Sequence, residues 1–252
     1  MRKTYHYISV IVLALALAAP HVLAQEFEHK QIIVRLGYNI GGTAPLGLPA
    51  TIRHLNSYTP QMSPALGLDV LFPFDGWRGV LTGLRMERKA MSEDANVKNY
   101  HMEITRGGET LAGVFTGDVT TKTHQWLLTV PVQAVWRVKK VNIKLGPYAS
   151  WVISKGFSGW AHNGYLRVDD PTGAKVVLGE EEGERGDYDF SDNLRNWQVG
   201  LGLGADWQFN RRMGLYADLN WGLTGAFRND FRTIEQTLFP IYGQMGFIFR
   251  LR

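Results

Sequence analysis

The amino-acid sequence predicts an all-β fold: an eight-stranded antiparallel up-and-down transmembrane β-barrel. Three observations support this prediction. About eight segments carry apolar side chains at every second position, their connections alternate between short and long, and the apolar parity of every segment lacks charged residues. Period-two alternation is typical of strands whose two faces meet different environments. Trp197, Leu203 and Trp207 share one parity of such a segment, whereas Gly202 and Asp206 share the other.

The alternating segments predict strands near residues 31–41, 64–72, 78–89, 124–138, 141–153, 195–209, 213–224 and 238–251. Short turns are expected at 73–76, 139–140 and 210–212, and long loops at 42–63, 90–123, 154–194 and 225–237. In an up-and-down barrel this alternation places all short turns and both termini at one end. Outer-membrane barrels have this layout, with periplasmic turns and extracellular loops.

The polar parity of the strands is expected to face the lumen. A charge that faces lipid at mid-membrane costs ~2–4 kcal/mol, which explains an uncharged outer face. An eight-stranded barrel is just filled by its side chains, so we expect a filled lumen rather than a diffusion pore. The expected lumen polar network consists of Arg35, Asp69, Arg85, Glu87, Arg137, Lys144, Asp206, Asp218 and Arg250. A structural plug and a proton or ion path both remain open for these residues.

Tryptophan positions favour a membrane barrel over a soluble one. A soluble periplasmic β-barrel that binds an apolar ligand would show the same alternation, with the apolar face inside. In a soluble core, however, tryptophan has no reason to prefer strand ends, whereas membrane barrels carry aromatic girdles at both interfaces. The expected aromatic girdle consists of Trp126, Trp136, Trp151, Trp197, Trp207 and Trp221.

The N-terminus reads as a secretory signal peptide. Arg2 and Lys3 precede an apolar run, and small residues before Gln25 suit a cleavage site. We therefore expect a cleaved signal peptide over residues 1–24 and one barrel domain over residues 25–252. The chain has no cysteine, so neither a disulfide nor a lipid anchor on cysteine is possible.

Composition excludes several partner classes. The formal net charge is +4 and the pI is about 9.2, which is too mildly basic to indicate nucleic acid. No linker divides the mature chain into two domains. We expect a monomer whose partners are outer-membrane lipid and lipopolysaccharide, with an envelope protein as a further possible partner and without a cofactor.

Catalytic and metal motifs are absent from the sequence. His101, His124 and His162 could serve an enzyme at the loop-side rim, as in some small barrels, but they form no recognisable motif with serine or aspartate. The acidic run at residues 180–184 lacks the spacing of a calcium loop, which favours a solvated surface. The sequence therefore predicts neither an enzyme nor a metal site.

Several short motifs, in order along nearly all of the mature chain, resemble the PorT-like outer-membrane β-barrel family of Bacteroidetes-type bacteria. They lie at residues 83–85 (GLR), 128–132 (LTVPV), 145–148 (LGPY), 188–192 (YDFSD), 216–222 (YADLNWG) and 240–243 (PIYG). The resemblance implies a Gram-negative outer-membrane location and a single barrel domain. The best-known branch of the family is linked to secretion and gliding.

The functional expectation is a barrel with a filled polar lumen whose long extracellular loops have a structural or surface-binding role. The first alternative is a component of an envelope secretion or assembly complex. The second is the soluble periplasmic barrel with an apolar ligand.

Overall fold

A computed structural model describes residues 29–45, 47, 49–231, 233–234 and 236–251. The expected signal peptide lies outside the described residues. Within the described ranges no helix is long and apolar enough to cross a membrane. The described chain forms eleven β-strands and one 3₁₀ turn, Ser191–Asn193. The strands are Gln31–Pro45 (β1), Ile52–Pro60 (β2), Pro64–Pro73 (β3), Arg78–Arg106 (β4), Glu109–Val138 (β5), Val141–Val168 (β6), Lys175–Leu178 (β7), Gly186–Asp189 (β8), Trp197–Gln208 (β9), Met213–Gly222 (β10) and Leu238–Arg250 (β11).

Eight of these strands close into an antiparallel ring, which confirms the predicted fold. The order around the ring is β1, β3, β4, β5, β6, β9, β10, β11 and back to β1. Each ring strand thus pairs with its neighbours along the chain once the three additional strands are set aside. A closed ring leaves no free sheet edge in the barrel wall, as hydrocarbon requires.

The short turns fall where the sequence predicts them, and local polar contacts fix two of them. In the β3–β4 turn, the Asp75 carboxylate accepts hydrogen bonds from the backbone N–H groups of Trp77 and Arg78. The Arg78 guanidinium also binds this carboxylate, which lowers the pKa of Asp75. In the β9–β10 turn, the Asn210 side-chain oxygen accepts hydrogen bonds from two backbone N–H groups in the same way. Such side-chain contacts are why Asp and Asn favour tight turns.

Three of the four segments predicted as long loops are largely β-structure, and for these the prediction was wrong, whereas the described residues of 225–237 belong to no strand, as predicted. Residues 90–123 form a continuous hairpin, because β4 runs on to Arg106 and β5 begins at Glu109. Residues 154–194 contain the second half of β6 together with β7, β8 and the 3₁₀ turn. Residues 42–63 contain β2, which pairs with β4. We call the following parts together the loop-side domain: β2, β7, β8, the parts of β4, β5 and β6 above the barrel, and the connections from β6 to β9 and from β10 to β11.

The two faces of the long strands exchange polarity between the barrel and the loop-side domain. In the barrel part of β5, Val130 and Val132 point outward and are exposed, while Gln133 is buried inside. In the upper part, Lys122 points outward and Phe115 is completely buried inside. The barrel is therefore apolar outside, as lipid requires, and the loop-side domain is apolar inside, as water requires.

A bulge in β6 at this transition changes which of its residues face inward. The pairing of β5 with β6 shifts between Trp126 and Leu127, and the buried positions of β6 change from even numbers, such as Val152, to odd numbers, such as Phe157. A second shift interrupts the β4–β5 pairing between Val97 and Tyr100. One extra residue in a strand moves all later side chains to the opposite face.

Candidate functional site

Six charged side chains meet in the middle of the lumen. We call them the lumen charge cluster: Arg35, Asp69, Arg85, Lys144, Asp206 and Asp218. They are all buried, with at most 5% of each residue exposed. Three cations face three carboxylates, so the cluster is neutral when every group is ionised. Ring strands β1, β3, β4, β6, β9 and β10 each contribute one residue.

Short contacts join the six groups into one network. Arg35 donates to Asp218 at 2.7 Å and lies 3.4 Å from both Asp69 and Asp206. Arg85 binds Asp69 through two nitrogens, at 3.1 and 2.7 Å. Such fork-like pairing of a guanidinium with a carboxylate combines charge with fixed geometry.

Lys144 bridges the two remaining carboxylates. Its ammonium lies 2.6 Å from Asp206 and 2.8 Å from Asp218. The Tyr216 ring covers the Arg35 guanidinium at 3.8 Å, which adds a cation–π contact. Gly204 faces the same carboxylates, and a Cβ atom there would collide with the Asp218 side chain. A residue without a side chain thus makes room for this cluster in the wall.

The other three predicted lumen residues lie outside this cluster. Glu87 pairs with Lys89 at 3.5 Å nearer the loop side. Arg137 and Arg250 lie at the turn end of the lumen, near the end of β5 and the end of β11. Arg137 is buried and donates to the Asn142 side chain at 3.1 Å.

Sequence reasoning missed Lys89. Its ammonium is buried and lies 5.6 and 5.4 Å from the ring centroids of Tyr148 and Tyr242. The available signal was parity, because Lys89 is two residues from Glu87 and therefore points to the same side of β4.

Apolar layers lie on both sides of the lumen charges. On the turn side, Ile33, Leu71, Leu81, Val135, Tyr216 and Ile248 form a buried cluster. On the loop side, the space between lumen residues such as Lys89 and Tyr242 and the overlying Phe157 and Leu194 measures only about 10 Å³. A space of that size holds about one water molecule. The lumen charges are thus bordered by a buried apolar cluster on the turn side and, between the residues named on the loop side, by a space for about one water molecule.

Four of the six predicted girdle tryptophans, Trp136, Trp197, Trp207 and Trp221, lie at or near the ends of ring strands in the expected outward parity, whereas Trp126 and Trp151 lie at the transition on β5 and β6. Trp151 of β6 and Trp197 of β9 are direct partners in the ladder and are 62% and 48% exposed. Trp207 lies towards the turn side and is 49% exposed. Between these levels Leu203 is 49% exposed. This outward apolar surface is opposite to what a soluble barrel with an apolar interior requires, so that alternative was wrong.

The loop-side domain has its own hydrophobic core, which the sequence did not predict. Aromatic residues dominate its centre. Phe157 lies 4.8 Å from Phe227 between ring centroids, Tyr188 lies 5.2 Å from Phe190, and Phe190 lies 5.1 Å from Phe231. Such ring pairs add ~0.5–1.5 kcal/mol beyond area burial. Because these residues come from β6, β8 and the connection after β10, the core ties separate connections into one unit.

A polar cluster on the outer wall of this domain includes His162. Its Nε2 atom lies 3.0 Å from the Asp94 carboxylate and 3.1 Å from the Thr120 hydroxyl, which itself donates to Asp94 at 2.6 Å. Burial opposes ionisation of Asp94, but hydrogen bonds from Thr120, Asn56 and His162 outweigh it and lower its pKa. In a catalytic triad the two ring nitrogens serve different partners, whereas here one nitrogen contacts both. These hydrogen bonds connect β4, β5 and β6 to one another.

Glu93 is a carboxylic acid of the loop-side domain whose pKa is strongly shifted by its surroundings. It lies opposite Thr121 of β5 and Tyr58 of β2 in the ladder. Burial raises the pKa of its carboxyl group to about 7. The group therefore changes charge near neutral pH.

The remaining candidate residues stay dispersed. The acidic residues 180–184 form an exposed turn between β7 and β8. His101 and His124 lie on β4 and β5, away from each other in the ladder. Within the described part of the chain, no group of three or more His, Asp or Glu side chains could hold a metal ion.

Comparisons with known proteins agree with this architecture. The family model described as outer membrane protein beta-barrel domain matches residues 24–228. A search of curated protein sequences gives no match.

Solved structures with limited similarity include three bacterial proteins. Ail, the attachment invasion locus protein of Yersinia pestis, in complex with the heparin analogue sucrose octasulfate, is 10% identical (TM-score 0.36; 88% of this chain and 97% of that chain covered). OprG from Pseudomonas aeruginosa is 12% identical (TM-score 0.39; 90% and 99% covered). The translocator domain of autotransporter NalP from Neisseria meningitidis is 11% identical (TM-score 0.26; 99% and 96% covered). At these sequence identities and TM-scores, no function of these three proteins can be assigned to this chain.

Proposed function

Because this chain belongs to the family of outer membrane protein beta-barrel domains, we propose that it is a sealed barrel that holds the loop-side domain outside the cell as a binding surface. One observation carries this proposal. Strands β4, β5 and β6 continue far beyond the lipid-facing band and enclose a separate hydrophobic core. A barrel needed only to cross the membrane would gain nothing from such an extension, whereas a rigid domain above the membrane suits recognition.

The lumen supports a structural role rather than transport. The lumen charge cluster is neutral, paired and enclosed between apolar layers. Buried charges are costly unless each has a partner, and here each carboxylate contacts at least two cations. We infer that these charges fix the barrel, and that the protein acts without enzymatic chemistry.

Two measurements on the full chain test this function. In planar lipid bilayers the purified protein should give no stepwise ion conductance, and steady conductance would contradict the sealed lumen. Crosslinking on intact cells should attach surface material to the loop-side domain, through a reactive group placed at an exposed position such as Thr172. A reactive group at Lys139, on the opposite side, is the matched control. Equal labelling from both positions would refute a dedicated surface.

A component of an envelope secretion or assembly complex is the second candidate function. The motifs that resemble the PorT-like family support it, including residues 216–222 on β10. This function predicts a stoichiometric envelope protein crosslinked to the turn side or to the barrel wall. Isolation of the chain as an uncrosslinked monomer with several reagents would favour the stand-alone barrel.

A further inference from the structure

The outer wall of the loop-side domain contains a concave pocket of about 420 Å³. That volume is within the range of small-molecule sites, which is ~300–1,000 Å³. The side chains that line it and carry chemistry are Thr105, Lys122, Ser158, Trp160, Asp187 and Asp189. The pocket lies well above the outer apolar band, because Lys122 is four residues beyond Trp126 on the same face of β5.

Four strands bring these side chains together. In the ladder Lys122 of β5 is opposite Ser158 of β6, and Trp160 of β6 is opposite Asp187 of β8. Asp187 is also opposite Thr105 at the tip of β4. Side chains of directly opposed residues point to the same face of a sheet. The pocket therefore depends on the β4–β5 hairpin reaching β8.

The floor of the pocket is rigid. Gly159 lies between Ser158 and Trp160, and a Cβ atom there would collide with the Thr120 carbonyl and the Tyr188 hydroxyl. The buried Tyr188 hydroxyl is held by the Thr121 hydroxyl at 2.7 Å and donates to the Thr120 carbonyl at 3.0 Å. A floor fixed in this way lowers the entropic cost of binding.

The walls offer an aromatic ring together with hydrogen-bonding groups of both kinds. Lys122 is exposed, and its ammonium lies 4.7 Å from the centroid of the Trp160 ring. Asp187 is 55% exposed at its side chain although it pairs with Arg185 at 2.9 Å. A carboxylate has about four acceptor sites, so this ion pair leaves Asp187 able to accept further hydrogen bonds.

The charge balance decides the class of ligand. Two carboxylates, Asp187 and Asp189, face two cations: Lys122 in the lining, and Arg185, which pairs with Asp187 at 2.9 Å and lies 4.6 Å from the centroid of the Trp160 ring. The charges balance, so the site favours neither an anionic nor a cationic ligand. A sugar ring instead presents hydroxyl groups that donate and accept, and a C–H face that packs on an indole.

We propose that this pocket binds an uncharged pyranose unit of a surface glycan. Trp160 packs against the sugar ring, Asp187 and Asp189 accept hydrogen bonds from adjacent hydroxyls, and Lys122 donates to a further oxygen. The flexible stem of Lys122 allows its ammonium to move from the indole to the sugar, while the Arg185 guanidinium stays on the indole through its ion pair with Asp187. This assignment rests on the proposed role of the loop-side domain as a binding surface and names its ligand class.

The test uses the full chain in detergent micelles on an array of immobilised neutral and sulfated glycans. We expect binding to neutral glycans, lowered about tenfold or more by Trp160→Ala, since truncation of a central aromatic contact has effects of that size. Tyr165→Ala is the matched control, because Tyr165 lies on the same strand and near two cations, Lys175 at 4.5 Å and Arg167 at 5.9 Å, but outside the pocket. Asp187→Asn should also weaken binding, while the Tyr165 variant stays within about twofold of the parent.

Three results would overturn the saccharide site. They are no binding to any neutral glycan, equal binding by the Trp160 and Tyr165 variants, and preference for sulfated glycans. Migration of folded and heated samples on gels confirms that each variant retains its barrel. If glycan binding fails while the loop-side domain still crosslinks to another surface molecule on cells, only this ligand class is wrong. If both fail, the proposed function fails as well.

Discussion

Removal of Arg35 tests whether the lumen charges hold the barrel together. Arg35 is 1% exposed and contacts Asp218 at 2.7 Å and two further carboxylates at 3.4 Å. Arg35→Met keeps much of the side-chain volume but leaves three carboxylates facing two cations. Breaking a buried ion pair on one side costs ~3–5 kcal/mol. We therefore expect the free energy of unfolding to fall by that amount.

A second substitution separates charge from packing. Arg35→Met combined with Asp218→Asn restores neutrality, so we expect the double variant to be more stable than Arg35→Met alone. The control is Arg78→Met, which breaks the exposed pair with Asp75. Exposed pairs contribute ~0–1 kcal/mol, so this change should have little effect.

Urea unfolding of the refolded protein in detergent micelles, followed by tryptophan fluorescence, measures all these variants. The chain has eight tryptophans, which gives a strong signal. A loss below ~1 kcal/mol for Arg35→Met would refute the argument, because the buried carboxylates would then tolerate an unbalanced charge. A double variant that shows the sum of two independent losses would refute it too.

Three further outcomes follow from the face assignment, from burial and from topology. In liposomes a thiol introduced by Leu203→Cys should react with a lipid-soluble maleimide and resist a charged one, and Ser150→Cys in the lumen should resist both; protection of the Leu203 thiol from the lipid-soluble reagent would contradict the outward assignment. Burial raises the pKa of Glu93 from its ordinary value of 4.5 to about 7, so the folded state keeps this proton longer than the unfolded chain; stability therefore falls as pH rises from about 4.5 to 7 and levels off above that. Glu93→Gln should accordingly be more stable than the parent by ~1–3 kcal/mol at pH 8 and nearly equal to it at pH 4 in the same urea assay, and equal stability at both pH values would count against a buried acid. On intact cells a glutamate-specific protease should cut within residues 180–184 while trypsin spares Lys139, and cleavage at Lys139 in sealed cells would mean that the topology is inverted.

The barrel could be predicted from the sequence because lipid imposes one rule on every strand that crosses it. Each outward position must be apolar, so residues such as Leu201 and Leu203 alternate with small or polar ones over the whole span. The short turns could be predicted as well, since Asp75 and Asn210 bind their own backbone nearby. These are local or periodic signals, and they need no knowledge of the partner strand.

Parity alone does not predict which lumen residues pair with one another. Parity indicates that Arg35 and Asp218 both face inward, but they are separated by 183 positions in the chain. Only the register between strands shows that they touch. The sequence by itself determined which side chains enter the lumen, and the closed ring determined which of them pair.

The loop-side domain was decided by the tertiary structure. Above the barrel, water replaces lipid outside the wall, so the apolar residues must turn inward, and a bulge in β6 opposite Trp126 shifts the parity of that strand near the same point. The period-two signal is lost at that position although the strands continue. The aromatic core of the loop-side domain and the pocket beside Trp160 arise from pairing between β4, β6 and β8, which are distant along the chain. A strand that passes from lipid into water keeps its backbone hydrogen bonds, but its alternation of apolar and polar residues changes. Contacts with the neighbouring strands then decide which core or pocket it forms.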